Sequence, residues 1–425
     1  MRTRVLLAAA AVFSAPAALA ASEAPIHEQI ETLQQQLDAL RDQVEAPAAP
    51  QVRADVRDLE LRTHDGIELR SLSDGFSIKL RGLLAMSHEW VDGIFNAENT
   101  GKRAFEGEIR SFWAILSGTH AHHWKYTAMY NFKDSRPVVA YIRYDRPEGW
   151  RLTLGRQREP FGLAQFSSGD LASAATLSTR IAPLISQGFS LLAFGEHWTW
   201  GIGLFSEGTG ANGEADEAFT SRVSLSPSVS DAQRVHLAAS LSRRDYGTDP
   251  FYIESNLGAA TAPTQVAQSP DFDAQRGWLS GMEFAWQHRA VYLQSEWIGA
   301  RIRADDATRY SFRAHYVQLG WFLTGEHLSY DTKNGRFKRF KEQPLNPGGA
   351  WQWVVRYEDL DLEDRGGGSE VYAWTTGINW YANSKVRVLL NYTNVSAKGS
   401  INLGSNVLTG HHDGQFVALV GQYFF

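Results

Sequence analysis

The side chains best suited to chemistry in this sequence are two groups of histidines. They are His120, His122 and His123, and then His411 and His412 beside Asp413. Imidazole groups bind zinc or copper, but both groups fall in segments that are predicted to be turns, and no carboxylate spacing completes a site. The preferred interpretation is two solvated turns, so neither a metal nor a cofactor is expected.

Other catalytic motifs are missing from the sequence. The run Gly366–Gly368 is not followed by Gly-Lys-Ser/Thr and is not a phosphate-binding loop. The chain contains no Gly-x-Ser-x-Gly elbow, and with no cysteine it can form neither disulfides nor thiolate metal sites. A hydrolase with a Ser–His pair on neighbouring strands stays an open alternative, because such a pair leaves no motif.

The elements that position these residues begin with an N-terminal export signal. Arg2 and Arg4 precede the apolar run Val5–Phe13, and small residues end at Ala20. This order predicts a secretory signal peptide, residues 1–20, with cleavage after Ala20. The alternative, a buried helix, accounts for neither the arginines nor the small-residue site.

The last residues of the chain predict an outer-membrane strand. Phe425 is preceded at every second position by Tyr423, Gly421, Leu419 and Val417. This pattern resembles the final strand of outer-membrane barrels, where it is the signal that the assembly machinery recognises, so Tyr423 and Phe425 are assigned that role. An ordinary edge strand is the alternative.

Strand-like alternation continues from Phe76 to the end of the chain. About 17 segments can be marked, and since single-chain bacterial barrels have even strand numbers, 16 strands fit best. Eighteen are possible if residues 67–70 also pair. The fold class is therefore all-β, an antiparallel transmembrane β-barrel. The polar stretches 158–187, 245–275 and 397–412 are predicted to be loops at the surface or inserted in the pore.

The segment between the signal peptide and the barrel differs in character. Apolar residues spaced by three and four between Ile26 and Val44 predict a short coiled-coil helix over residues 21–46, lying in the periplasm. A helix resting on the barrel is the alternative. Residues 47–65 are predicted to be a linker, and residues 66–425 the barrel. Residues 21–60 contain nine acidic and three basic side chains, which leaves the barrel close to neutral, so the placement of charges in the lumen determines ion preference.

Residues 66–425 resemble the family of phosphate-selective porins O and P. No single motif is decisive, but many occur in the family order. The matching segments are Phe76–Gly82, Leu154–Arg156, Pro160–Leu163, Ser167–Ser168, Trp321–Glu326, Gly349–Gln352, Arg356–Tyr357, Asp361–Leu362, Gly377–Tyr381 and Asn391–Tyr392.

The resemblance implies a homotrimer of 16-stranded barrels, each with an anion-conducting pore lined by lysines and arginines. The implied pore-lining and anion-contact residues are Lys79, Arg81, Arg110, Ser111, Arg156, Gln165, Ser167, Ser168, Arg180 and Arg222. For each of them, a solvated or salt-bridged position in the barrel wall is the alternative. A series of fixed cations would attract anions through charge-assisted hydrogen bonds and still let them leave.

Several positions depart from the family pattern. Leu83 stands where the family has an arginine, an arginine pair is reduced to Arg110-Ser111, and Gln165 replaces a lysine. The segment Tyr246–Gln275 contains no arginine or lysine, although the corresponding family segment is rich in arginine. These departures concern phosphate selectivity rather than the barrel itself.

The sequence thus predicts an outer-membrane porin, not an enzyme, that forms a passive channel for small and preferentially anionic solutes. The resemblance implies phosphate or polyphosphate. The alternative is a structural or adhesive barrel without a transport role. Expected partners are outer-membrane lipid, other copies of the chain, small anions and the barrel assembly machinery, but not nucleic acid.

Overall fold

The chain divides into two units, residues 1–57 and residues 58–425. The computed structural model describes residues 31, 34–36, 58–63, 65–71, 73, 75–99, 103–146, 149–163, 181–182, 185–208, 217–230, 233–247, 250–340, 343–404 and 406–425. In the first unit Glu31 and residues 34–36 are helical and exposed. The predicted signal peptide and most of the predicted coiled-coil helix lie outside the described residues.

Strands dominate the second unit. They are β1 (Leu59–Arg62), β2 (Ile67–Ser71), β3 (Ser77–Gly93), β4 (Ala104–His120), β5 (Trp124–Asn131), β6 (Arg136–Arg146), β7 (Trp150–Arg158), β8 (Ile185–Phe194), β9 (Trp198–Gly208), β10 (Glu217–Leu225), β11 (Ser228–Ser230), β12 (Gln233–Asp245), β13 (Pro250–Phe251), β14 (Glu254–Ser255), β15 (Ala267–Gln268), β16 (Phe272–His288), β17 (Val291–Ala304), β18 (Arg309–Phe322), β19 (Tyr330–Asp331), β20 (Arg336–Phe337), β21 (Ala350–Asp361), β22 (Ser369–Tyr381), β23 (Val386–Asn402) and β24 (Val407–Phe424). A 3₁₀ turn spans Ile94–Asn96. Within the described ranges, no helix is both long and apolar enough to cross a membrane.

Sixteen of the described strands form a closed antiparallel ring. In order they are β3–β10, β12, β16–β18 and β21–β24, and β24 closes the ring by pairing with β3 from Gly414↔Gly93 to Phe424↔Leu83. Closure leaves no strand edge in the membrane, where an unpaired backbone group would be costly. The predicted barrel of 16 strands is confirmed.

Alternation along each strand separates an outer apolar face from an inner face. In β21, Trp351 is exposed, whereas Gln352, Arg356 and Glu358 are buried inside the ring. The same two-residue period continues through the neighbouring strands because successive side chains point to opposite faces. The outer face meets lipid and the inner face contains the polar groups.

The two ends of the barrel differ. Short connections such as residues 121–123, 195–197 and 382–385 lie at the end where Phe425 lies, which we call the turn end. The opposite end, which carries the connection 246–271, is called the loop end. One long connection, residues 323–349, starts from the turn end.

A hairpin of β1 and β2 extends the wall at the turn end. Residues Ile67–Arg70 pair with Leu80–Ser77 of β3, just beyond the point where β24 ends. Asp58 fixes the hairpin by accepting hydrogen bonds from Ser71 and from the backbone of Ser73. The prediction of a linker over residues 47–65 is thus wrong for its last part, since Leu59–Arg62 is a strand paired with β2. The 18-strand option is wrong too, because residues 67–70 pair outside the ring.

Part of the barrel interior is filled by an apolar core. The connection 246–271 folds inward, and Phe251 packs against Phe272 and Phe312, with ring centroids 5.2 and 6.2 Å apart. Leu257 and Val266 of the same connection are fully buried. The stretch 245–275 is therefore inserted in the pore, one of the two predicted options.

The polar stretch 397–412 is mostly strand rather than loop. β23 continues to Asn402 and β24 begins at Val407, with continuous pairing from Ala397↔His412 to Asn402↔Val407. The loop prediction is wrong here because a hairpin that extends past the lipid can carry polar residues on its solvated face. A polar stretch of sequence therefore does not by itself show where a strand ends.

Candidate functional site

A cavity of about 710 Å³ runs inside the barrel along the inner faces of β3–β10 and of the adjoining strands β23 and β24. The apolar core around Phe251 fills the opposite side near the loop end. Connection 323–349 enters from the turn end and contributes Asn334, Arg336 and Arg339 to the lining. In the part of the chain that the structure describes, this cavity and the apolar core thus occupy different sides of the ring.

Arginine dominates the charge of this lining. Among the described residues that line the cavity, nine are arginines, none is a lysine and one is a carboxylate. The arginines are Arg81, Arg110, Arg143, Arg151, Arg158, Arg222, Arg336, Arg339 and Arg387. The carboxylate, Glu159, accepts hydrogen bonds from Arg244 at 3.0 and 3.2 Å, which neutralises it. Arg110, Arg143 and Arg222 are ion-paired with Glu89, Asp145 and Glu283 behind the lining, so the described lining is net cationic by fewer than nine charges.

Arg222 connects the wall to the inserted connection. Its Nε and Nη2 donate to the two oxygens of Glu283 at 2.7 and 2.6 Å, and Nη2 also donates to the carbonyl of Gly335 at 3.0 Å. His236 lies between Glu283, at 3.1 Å, and the hydroxyl of Tyr330, at 2.7 Å. Gly335 has a positive φ of 58°, and a Cβ there would lie 2.1 Å from Ser224 Oγ. This close approach requires glycine.

Arg151 also holds the inserted connection while facing the cavity. Its Nη2 donates to the carbonyl of Lys333 at 2.7 Å and to Asn334 Oδ1 at 2.5 Å, both neutral acceptors. Burial lowers the pKa of Arg336, on the insert itself, to about 10. A cationic group with that pKa stays protonated at neutral pH, so Arg336 contributes a full positive charge.

Arg110 is positioned by a carboxylate and by the other insert. Its Nη1 contacts Glu89 at 2.5 Å, and its Nη2 donates to the carbonyl of Gly258 at 2.8 Å. The backbone amide of Thr261 donates to the second oxygen of Glu89 at 3.0 Å. The β3–β4 register shifts between Ala85 and Met86, beside Arg110, which directs both Arg110 and Ser111 into the lumen.

The remaining lining is apolar in part. Leu83, Trp113 and Ile115 face the cavity from β3 and β4, and Met129 and Val139 continue the patch on β5 and β6. The register places Leu83 opposite Trp113, and Met129 opposite both Ile115 and Val139. This patch thus offers few hydrogen bonds, although Arg81, Arg110 and Arg143 lie on the same strands, and the other six lining arginines lie on other elements.

The predicted pore-lining residues divide into three groups. Arg81, Arg110, Ser111 and Arg222 line the cavity. Two others are not part of the described lining. Lys79 lies near the β1–β2 hairpin, 3.0 Å from Asp65, and Arg156 stands in register with the exposed residues Ala140 and Gln187. Gln165, Ser167, Ser168 and Arg180 lie outside the described residues.

Several lining arginines were absent from the sequence prediction. Arg143, Arg151 and Arg387 lie on strands, and the two-residue alternation could have identified them as inward-facing. Arg336 and Arg339 lie in a connection, where no periodicity indicates which way a side chain points. Arg339 reaches the lining by stacking on Phe424, 4.0 Å from the ring centroid.

Guanidinium groups determine what this lumen can do. Each is planar, charged at neutral pH and able to form two parallel hydrogen bonds with a carboxylate or phosphate. A succession of them along a water-filled path attracts anions and repels cations. Because the arginines are spread over many elements, an anion can pass from one to the next.

Comparison with known proteins agrees with this architecture. The sequence profile of the family described as "Phosphate-selective porin O and P" matches residues 79–425. Porin O of Pseudomonas aeruginosa is 24% identical over 424 residues, covering 89% of this chain and 95% of that protein. An uncharacterized protein of Caulobacter vibrioides is 32% identical over 196 residues, 42% of this chain and 37% of that protein.

Solved structures share the fold at low identity. The anion-selective porin from Comamonas acidovorans superposes with a TM-score of 0.53 at 10% identity, covering 82% of this chain and 100% of that one. OmpT of Vibrio cholerae in its trimer form gives a TM-score of 0.51 at 11% identity, covering 83% and 100%.

Proposed function

Because the chain belongs to the phosphate-selective porin O and P family and is an outer-membrane porin, we propose that its lumen is a diffusion channel that prefers small anions. The observation that carries the proposal is the excess of arginine in the described lining, where nine guanidinium groups stand against one neutralised carboxylate. Three of the nine are themselves ion-paired, with Glu89, Asp145 and Glu283, and the excess of positive charge remains. A cation entering this path would meet unfavourable potential from several sides. A small anion would meet a series of charge-assisted donors.

The preferred solutes are small oxyanions of the phosphate type. Porin O of Pseudomonas aeruginosa and the family description support this class. Leu83 faces the cavity at a position where the family has an arginine, so one phosphate contact is replaced by an apolar side chain. We therefore expect phosphate to pass and to compete with chloride without closing the channel.

Planar-bilayer recording tests the channel and its ion preference. Purified protein is expected to give stepwise conductance, and a potassium chloride gradient is expected to give a reversal potential of the sign set by chloride. The double substitution Arg151→Gln and Arg336→Gln should lower the chloride-to-potassium permeability ratio about 30-fold, since each of the two charges contributes about 1 kcal/mol at about 4 Å in water. Arg313→Gln is the matched control, because Arg313 is 59% exposed on the outer wall. A silent protein would favour the structural or adhesive alternative, and cation preference would contradict the arginine assignment.

Phosphate block of the chloride current tests the solute class. Leu83→Arg restores the family residue and is expected to lower the phosphate concentration for half-block about tenfold, in line with about 1.5 kcal/mol for a hydrogen bond between charged groups. If phosphate affects neither protein more than an equal concentration of sulfate, the phosphate part of the proposal fails while anion preference stands.

We also infer the orientation and assembly of the barrel. Short turns face the periplasm in bacterial barrels, so the turn end, with connection 323–349, is assigned to that side. OmpT, which shares the fold, is described in a trimer form, and the coiled-coil pattern between Ile26 and Val44 could bring copies of this chain together. Light scattering of the detergent-solubilised protein measures the number of copies in the assembly. Comparing the protein with and without residues 21–46 tests whether the coiled-coil segment helps to form that assembly.

A further inference from the structure

The outer face of the barrel changes from apolar to basic near the loop end, on the wall formed by β12 and β16–β18. The basic side chains all point outward and are exposed. They are Arg243, Arg276, Arg301, Arg303, Arg309 and Arg313. None of them lines the described pore cavity, so this basic patch lies outside the path described above.

Pairing between strands places these arginines side by side. Arg276 stands opposite Arg303, and Arg303 stands opposite Arg309. Directly paired residues on one face have Cβ atoms about 5 Å apart, and like charges at that spacing destabilise the sheet. Three guanidinium groups in one row therefore repel one another, and a negative charge close to them would be stabilising.

The protein supplies that charge at the edges of the patch and not at its centre. Arg276 and Arg243 share Asp245, at 2.6 and 3.3 Å, and Arg313 pairs with Asp361 at 3.1 Å. In the portion of the chain for which the structure gives side chains, Arg301, Arg303 and Arg309 form no ion pair. Three adjacent cations are left for an anion from outside the protein.

The height of the patch on the barrel wall indicates which anion this is. Trp278 is 48% exposed and stands in register between Arg243 and Arg301, and Trp297 lies further toward the turn end on β17. Further toward the turn end, the exposed side chains of β16 are apolar and include Met282 and Phe284. Exposed tryptophans mark the boundary between hydrocarbon and headgroups, so the arginines stand at headgroup level.

We propose that Arg301, Arg303 and Arg309 form a binding site for the phosphate-bearing headgroup of a membrane lipid in the leaflet at the loop end. Guanidinium groups bind phosphate through two parallel hydrogen bonds. A lipid phosphate also removes the repulsion between Arg303 and Arg309. The lipid chains lie along the apolar surface around Met282 and Phe284, while Trp278 contacts the glycerol or sugar region.

Native mass spectrometry of the detergent-solubilised protein with defined lipids tests the site. Wild-type protein is expected to bind phosphatidic acid at least about tenfold more tightly than phosphatidylcholine of the same chain length, as expected for about 1.5 kcal/mol from a charge-assisted contact. The phosphate monoester is a net anion with free oxygens, whereas the choline cation balances the phosphate of phosphatidylcholine and would be repelled by the arginines. Arg303→Gln with Arg309→Gln should lose that preference. Arg103→Gln with Arg136→Gln is the control, because it removes two exposed arginines that lie near Asp92 and Asp134. Inorganic phosphate should not compete at equal concentration, since it lacks the apolar contacts.

A second variant tests the site in case the double variant Arg303→Gln with Arg309→Gln folds poorly. Arg309→Glu replaces the like-charged pair by an opposite pair, so it should raise the thermal midpoint in neutral detergent and still abolish the preference for phosphatidic acid. Single-channel conductance should remain at the wild-type value in all these variants, which separates this proposal from the channel proposal. Equal affinity of wild-type protein for both lipids, or an undiminished preference in either variant, would overturn the lipid site.

Discussion

Replacing Glu283 by glutamine should weaken the barrel and at the same time strengthen its preference for anions. Glu283 is buried in the wall, where it binds Arg222 through two hydrogen bonds and His236 through a third. Glutamine keeps the volume and one acceptor oxygen but removes the charge. The guanidinium of Arg222 then faces the cavity without its neutralising partner.

Two magnitudes follow from this geometry. Removing one partner of a buried ion pair costs about 3–5 kcal/mol, and because the amide still accepts one hydrogen bond we expect about 3 kcal/mol, the lower limit. The uncompensated charge raises the local chloride concentration about fivefold if it acts over about 4 Å of water. Stability and selectivity therefore change in opposite directions.

Denaturant titration of refolded protein in lipid vesicles measures the first effect, and the reversal potential in a salt gradient measures the second. Glu358→Gln is the matched control, because Glu358 is equally buried and pairs with Arg356, which is not among the described residues that line the cavity. The control should lose comparable stability without any change in reversal potential. If both variants shift selectivity equally, or if Glu283→Gln leaves it unchanged, Arg222 is not part of the conducting path.

Three further changes test other parts of the structure. Gly82→Ala should lower the yield of folded barrel in a heat-modifiability gel, because its Cβ would lie 2.0 Å from the ring of Phe425. Gly421→Ala is the control and should fold normally, because its Cβ would meet open space. Equal yields would show that the packing of Phe425 against Gly82 is not needed for barrel closure. Phe251→Ala should lower the free energy of unfolding by about 3–5 kcal/mol, because Phe251 is buried between two other rings. A loss below about 1 kcal/mol would mean that the packing of connection 246–271 contributes little to stability. Anion preference should stay constant from about pH 6 to about pH 9, since Arg336 loses its charge only as pH rises through a pKa of about 10; a decrease centred near about pH 6.5 would assign the positive potential to histidine.

The sequence by itself determined the barrel. A two-residue period is a local property, so the alternation from Phe76 onward and the ending at Tyr423 and Phe425 could be recognised without coordinates. Closure is required in lipid, and an even strand number is the rule for bacterial single-chain barrels. Local patterns also placed Arg81 and Arg110 among the candidates, since both lie on strands that match the family.

Only the tertiary structure decided where the path runs and which charges face it. The residues of connections 246–271 and 323–349 show no regular alternation of polar and apolar side chains. Their inward direction depends on distant partners, such as Glu89 for the first connection and Arg222 for the second. Arg336 and Arg339 reach the lumen for this reason alone. The charge on a lining residue likewise depends on a neighbour across the ring, as Glu159 and Arg244 illustrate, and sequence spacing does not encode that distance.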